Sequence, residues 1–175
     1  MDKDALATLQ APLKAAYRDD AAPALVTLRA TGRLGEGVSC SLDTGRALAE
    51  AGLHPAAGGD GSLLCSGDLL LEALVACAGV TLSAVATSMG LKVRGGTVRA
   101  EGEVDFRGTL AVCKEVPVGF REIRMSFDLD TDATDEQLDT LLRLTERYCV
   151  VLQSLVHSPT TSVRVEVAGR SGDNG

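Results

Sequence analysis

Residues 68–89 read DLLLEALVACAGVTLSAVATSM, a run whose only charges are Asp68 and Glu72. Ser66 or Asp68 suits its start as a cap and Gly90 its end, which predicts a helix of about 33 Å at ~1.5 Å per residue. That helix is apolar on every side. A surface helix needs one apolar stripe only, so a helix of this kind belongs in the middle of a structure. Its uncharged part, 73–89, falls short of a comfortable membrane span, carries Thr81, Ser83, Thr87 and Ser88, and lacks Lys/Arg anchors and an aromatic belt. A buried central helix and no membrane contact follow.

On either side the periodicity changes. Leu6, Leu9, Leu13 and Ala16 repeat at three to four residues, as in an amphipathic helix. Residues 25–33 and 37–42 alternate like strands and form a hairpin around Leu34-Gly35-Glu36. Residues 53–67 hold four Gly and a Pro and read as a loop. Beyond the central helix, Val98, Ala100, Gly102, Val104 and Phe106 share one strand face, and Ile123, Met125, Phe127 and Leu129 another. Thr134 to Gln137 has the spacing of a capping box and opens a second helix, with Leu138, Leu141, Leu142, Thr145, Cys149, Leu152 and Leu155 along one stripe up to the stop at Pro159. Val163, Val165 and Val167 then predict a last strand, before a loose polar tail at 169–175.

Strands apolar on one side, plus two helices, make a two-layer α+β domain. One sheet and one helix cannot cover a helix that is apolar all round, so a second subunit is expected to supply the rest, and Ala76, Gly79, Ser83 and Ala84 are small enough for close approach. The 175 residues suit a single domain, 1–175, with the N-terminal helix inside 1–18. A net charge of −7 (17 Lys+Arg against 24 Asp+Glu) and few aromatics exclude a nucleic-acid groove. Five Cys without a Cys-x-x-Cys or finger spacing indicate free thiols or one redox pair, and with no signal peptide the expected location is cytoplasmic.

The thiols are the main chemical candidates. Cys40 lies on an apolar strand face, Cys65 in the Gly-rich loop and Cys113 beside Lys114, whereas Cys77 and Cys149 lie in the two helices that must pack together. Burial raises a thiol pKa, and Cys77 is nine residues past Asp68, beyond the reach of its own helix dipole. Its activation therefore needs a group from elsewhere, with Arg29, Arg33, Arg46, His54 and His157 as candidates. Neither His has a metal-ligand spacing, and Asp128, Asp130 and Asp132 lack the Gly and Glu that a calcium loop requires. No cofactor is expected.

The segment GDLLLEALVACAGVTL, followed some seventy residues later by LTERYCVVLQSL, with Gly119, Phe120 and Ile123 between them, resembles the OsmC/Ohr family of thiol-dependent peroxidases. The resemblance runs from about residue 25 to 167. It implies an OsmC-like fold: an intertwined homodimer whose central Cys-bearing helices are wrapped by antiparallel sheets. It also implies reduction of an organic hydroperoxide by Cys77, condensation with Cys149 to a disulfide, and recovery by a dithiol such as a lipoyl protein or a small thiol. The family's activating arginine falls on Arg33, in Thr31-Gly32-Arg33 where the pattern has Gly-Gly-Arg. Its carboxylate falls on Gly67, with Asp68 one residue later, and the Pro that often follows the second Cys is Val150. Two alternatives stand beside this one. A dimer could bind a small apolar ligand or sense redox state without turnover, or a hot-dog-like thioesterase could use Glu72.

Overall fold

The computed structural model describes residues 2–5, 8, 11, 31–34, 39–43, 48–111 and 113–165, with side chains described outside 31–49. Residues 3–5, 8 and 11 are helical where the N-terminal helix was expected, and the rest of that helix lies outside the described residues. Four strands form the first sheet: β1 (Thr31–Leu34), β2 (Ser39–Asp43), β3 (Leu48–Gly52) and β4 (Leu64–Cys65), in the order β1-β2-β3-β4. β1 and β2 are the expected antiparallel pair, with Arg33 opposite Ser41. The strand β3 was not anticipated; it pairs with β2 antiparallel and with β4 in parallel. The Gly-rich segment is thus partly ordered, with a 3-10 turn at Pro55–Ala57 capped by His54.

β4 runs straight into the central helix, α1 (Ser66–Met89). Neither Ser66 nor Asp68 is the cap. Cys65 holds that position without a side-chain hydrogen bond, and Asp68 lies in the first turn, where its charge complements the helix dipole. The end is as expected: Gly90 takes φ 70°, and its N–H closes on the carbonyls of Ala86 and Thr87.

After α1 come β5 (Val93–Val104) and β6 (Phe120–Thr131), two long antiparallel strands joined through a one-turn helix at Phe106–Thr109 and a turn with Gly119 at φ 109°. Their alternation is the one read from sequence, with Val98, Ala100, Ile123, Met125 and Phe127 packed inward. Arg94, Asp130 and Asp132 form an exposed ion-pair cluster that ties β5 to β6, so the aspartates are a salt-bridged strand end. The capping box forms: Gln137 Oε1 accepts from the Thr134 N–H at 2.9 Å, and Thr134 Oγ1 accepts from the Gln137 N–H at 3.3 Å.

The core is a single ridge of α1. Leu74, Ala78, Leu82 and Ala86, each four residues from the next, are buried, and they meet Leu141 and Cys149 on one side and the β5–β6 sheet on the other. The opposite ridge, Ala73, Ala76, Val80 and Ser83, is exposed. By length and composition α1 could cross a membrane, yet only 22% of its most apolar stretch is buried within the chain.

Two expectations at the C-terminal end change. The second helix is two helices, α2 (Asp135–Tyr148) and α3 (Val150–Val156), broken at Cys149. The last strand is not formed at 161–165, where Val163 is 100% and Val165 84% exposed. Alternating valines give a segment the capacity to pair, but a strand also needs an edge to join, and none of the described strands lies beside it. Residues 166–175, with the rest of that segment and the expected tail, lie outside the described residues.

Candidate active site

Cys149 is the hinge between two helices. Its N–H closes the last turn of α2 on Thr145 O at 2.9 Å, and its carbonyl opens α3 by accepting from Gln153 N at 2.9 Å. Its own backbone is extended, at φ −72° and ψ 104°. A break in a helix leaves carbonyls and N–H groups without partners. The Gln153 side chain reaches back to the Glu146 carbonyl at 2.8 Å and satisfies one of them. On the other side, the N–H groups that open α3 are left free to meet sulfur.

Cys77 projects from α1 into this break. Burial raises its pKa, but the Val151 N–H, the Cys149 thiol, the Thr81 hydroxyl and the Val150 N–H all bear on the sulfur, and together they hold it below the ordinary thiol range. Cys149 moves the opposite way. It is fully buried, and burial together with the hydrogen bond and charge of Cys77 pushes its thiol up, against the opposing N–H groups of Leu152 and Val151. The pair therefore holds one sulfur disposed to ionise and one disposed to keep its proton, in contact and unbridged.

Sequence reasoning sought the activation of Cys77 in a cation and missed these amides. The missing signal was the helix break: Tyr148, Cys149, Val150 and Val151 include neither Gly nor Pro, and a run of middling helix formers is a faint mark. Thr81 was overlooked too, although it stands one turn from Cys77 on the same face.

Of the other candidates, Arg29 and Arg46 lie outside the described residues. Arg33 is on β1, and its side chain is outside the described residues. Asp68 is not brought to the thiols within the chain: nine residues put it two and a half turns from Cys77, on the opposite side of α1. It lines a separate cleft of about 580 Å³ with His54, Cys65, Asp105, Phe120 and Arg121. His54 is a structural residue there, accepting at Nδ1 from Ala56 N at 3.0 Å and stacking on Phe106 at 5.0 Å. The Cys113 thiol donates to Glu115 at 3.1 Å. Glu72 is exposed on the helix surface. Among the described residues, no group of three or more His, Cys, Asp or Glu is arranged to hold a metal ion.

Beside the thiol pair lies a cleft of about 510 Å³, walled mainly by apolar side chains such as Leu74, Ile123, Met125 and Leu152 and lined also by Arg121 and Glu122. Leu74 and Leu152 also pack against Cys149, so one layer of side chains is shared by cleft and thiols.

A family profile described as OsmC-like protein matches residues 59–164, a span that includes α1, the β5–β6 sheet and both cysteines of the pair. Among solved structures, the chain is similar to an OsmC-like protein from Mycoplasma pneumoniae, with a TM-score of 0.63 at 16% identity, covering 76% of this chain and 89% of that one. It is also similar to an organic hydroperoxide resistance protein from Elizabethkingia anophelis, solved with thiocyanate bound (TM-score 0.62, 18% identity, 77% and 91% covered). A third similar structure is the organic hydroperoxide resistance protein OhrB of Bacillus subtilis (TM-score 0.53, 17% identity, 76% and 93% covered). No curated protein sequence matches the chain.

Proposed function

The chain belongs to the OsmC-like family, and we propose that it is a thiol-dependent peroxidase that reduces organic hydroperoxides with Cys77 and Cys149. The observation that carries this is the pair of contacting thiols with opposed pKa directions at the α2–α3 break. A peroxidatic sulfur must be a thiolate, and its partner must stay reduced until it is needed.

The Cys77 thiolate attacks the distal peroxide oxygen, the O–O bond breaks, and the alkoxide leaves with the bonding pair and takes up a proton to become the alcohol. Cys77 is left as a sulfenic acid. The Cys149 thiol then displaces its hydroxyl as water and forms the disulfide. An external dithiol, oxidised to its own disulfide, returns both thiols by exchange. A lipoyl protein or a small thiol would serve in a reducing, cytoplasmic setting. The apolar wall formed by Leu74 and Leu152 favours an organic peroxide over hydrogen peroxide.

The working unit in this proposal is a homodimer. The exposed ridge of α1 is apolar and small-sided, Val80 is 73% and Val150 67% exposed, and both flank the thiol pair. A second copy laid on that ridge would cover them, and could bring in the Asp68 that the single chain does not place beside Cys77.

Among the described residues no cation bears on Cys77, and this favours a second reading: a redox-sensing member that oxidises slowly and does not turn over. Consumption of cumene hydroperoxide in the presence of dihydrolipoamide separates the two. Turnover by the wild type that is lost in Cys77→Ser supports the peroxidase; wild-type protein that oxidises once and stops supports the sensor.

A further inference from the structure

In an unbroken helix the Glu146 carbonyl accepts from the N–H four residues on, which belongs to Val150. Here it accepts from the Gln153 side chain, Nε2 to O at 2.8 Å. The backbone bonds on either side are regular: the Cys149 N–H reaches Thr145 O and the Gln153 N–H reaches Cys149 O, both at 2.9 Å. Between them, among the described residues, no backbone bond joins the N–H groups of Val150, Val151 and Leu152 to the carbonyls of Glu146, Arg147 and Tyr148. One of the vacated carbonyls is taken by a side chain.

Nothing in the local sequence enforces this opening. Val150 carries an N–H, which a proline in its place would lack, so the chain from Asp135 to Val156 has the means to run as one helix. The Gln153 contact belongs to the broken form alone. Along an unbroken helix residues 146 and 153 are about 10.5 Å apart, and the Glu146 carbonyl is already taken by Val150. A bond made in one conformation and not in the other shifts the balance toward the first.

Cys149 is the residue on which the two conformations differ most. It stands alone between α2 and α3, fully buried with an extended backbone, and Cys77 packs against the cluster that it forms with Leu74 and Ala78. Closing the helix would turn its backbone from extended to helical and move its thiol.

We propose that Gln153 is the positioning residue of the second thiol: its side-chain amide takes the place of the Val150 N–H on the Glu146 carbonyl, holds the helix open at Cys149, and so keeps that thiol packed with Cys77. Gln153 takes no part in the bond changes. The proposal rests on the peroxidase reading only in taking Cys149 as the thiol that closes the disulfide.

The test uses Gln153→Ala and Gln153→Glu, the second keeping the length of the side chain without its donor at neutral pH. Two readouts are taken on the full chain with no peroxide present. The first is the Cα chemical shift of Cys149, which reports extended against helical backbone. The second is the equilibrium of the Cys77–Cys149 pair with oxidised dithiothreitol, which takes both thiol hydrogens and leaves as the dithiol. Both variants are expected to move the Cα shift toward the helical range and to lower the equilibrium constant for the disulfide by roughly fivefold, the worth of one hydrogen bond of about 1 kcal/mol. Adding Val150→Pro to Gln153→Ala should restore the extended shift, because proline cannot close the helix onto Glu146. Ser154→Ala, which removes the 2.9 Å bond from that hydroxyl to Val150 O inside α3, should leave both readouts as in the wild type. An extended Cys149 with an unchanged equilibrium in both Gln153 variants would overturn the proposal, as would a Ser154→Ala variant that shifts as far as Gln153→Ala. The chemical shift answers for Gln153 even in a protein that fails to turn over peroxide.

Discussion

Cys77 comes from α1 and Cys149 from the α2–α3 break, yet the thiol of one bears on the sulfur of the other, and the two are driven in opposite directions by their surroundings. Cys77 meets the free amides at the start of α3; Cys149, fully buried, meets the charge of Cys77. A thiol pair with matched surroundings would have no assigned order of reaction. In the proposed reaction the order follows from which sulfur the broken helix faces.

The first consequence is a pH profile. Since Cys77 ionises below the ordinary thiol range, its alkylation and its oxidation rise with pH and level off before those of a free cysteine. Cys149, raised by burial and by Cys77, stays protonated over the same interval and labels last. Quantitative mass spectrometry of both peptides across pH checks both directions in one experiment; equal profiles for the two thiols would contradict them.

Val150 offers a sharper cut. Its N–H bears on Cys77, it holds the first position of α3, and the residue before it is extended, all of which suit a proline. Val150→Pro therefore removes one N–H with the helix intact. The expected result is a Cys77 profile moved to higher pH, with labelling at neutral pH slower by roughly fivefold and thermal stability near that of the wild type.

Leu74 links core and site. It is fully buried and packs with Ala78 and Cys149. Leu74→Ala is expected to cost about 2–5 kcal/mol in urea unfolding, through lost apolar burial and the cavity left beside Cys149. In the same variant, disulfide formation should slow more than the first oxidation of Cys77, because the loosened side chain holds Cys149.

The exposed ridge of α1 yields a prediction on assembly. Val80 is 73% exposed in a helix that is otherwise rich in apolar residues, three positions from Cys77. Sedimentation of the wild type should give a dimer. Val80→Arg should give a monomer with lower peroxidase activity; a wild type that sediments as a monomer would contradict the proposed unit.

Much of this was legible in the sequence, for identifiable reasons. The α1 segment is long, uncharged in its centre and closed by a glycine that needs positive φ, so its identity and its end could be read directly. The β5–β6 strands declare themselves because one face is buried and the other wet, which forces strict alternation. The break at Cys149 could not be read because no residue demands it; tertiary packing and the Gln153 side chain support it. The valines at 163 and 165 were over-read, since alternation says nothing of whether an edge is at hand. For the site, Cys77 and Cys149 stood out because they lie on segments that must pack together, and the family resemblance gave them as a pair, while the amides that bear on Cys77 carry no side-chain signature at all. Arg33 was among the cations that the residues themselves offered and Asp68 a possible helix cap, and the resemblance gave both a site role: the first has a side chain outside the described residues, and the second lines another cleft.

The most direct measurement is intact-protein and peptide mass spectrometry after one equivalent of cumene hydroperoxide is added to the reduced chain. The account predicts loss of two hydrogens and a disulfide joining Cys77 to Cys149, with Cys77→Ser left unoxidised and Cys149→Ser stopped at a sulfenic acid on Cys77. A disulfide formed through Cys40, Cys65 or Cys113 instead, or a Cys77→Ser variant that consumes peroxide at the wild-type rate, would contradict it.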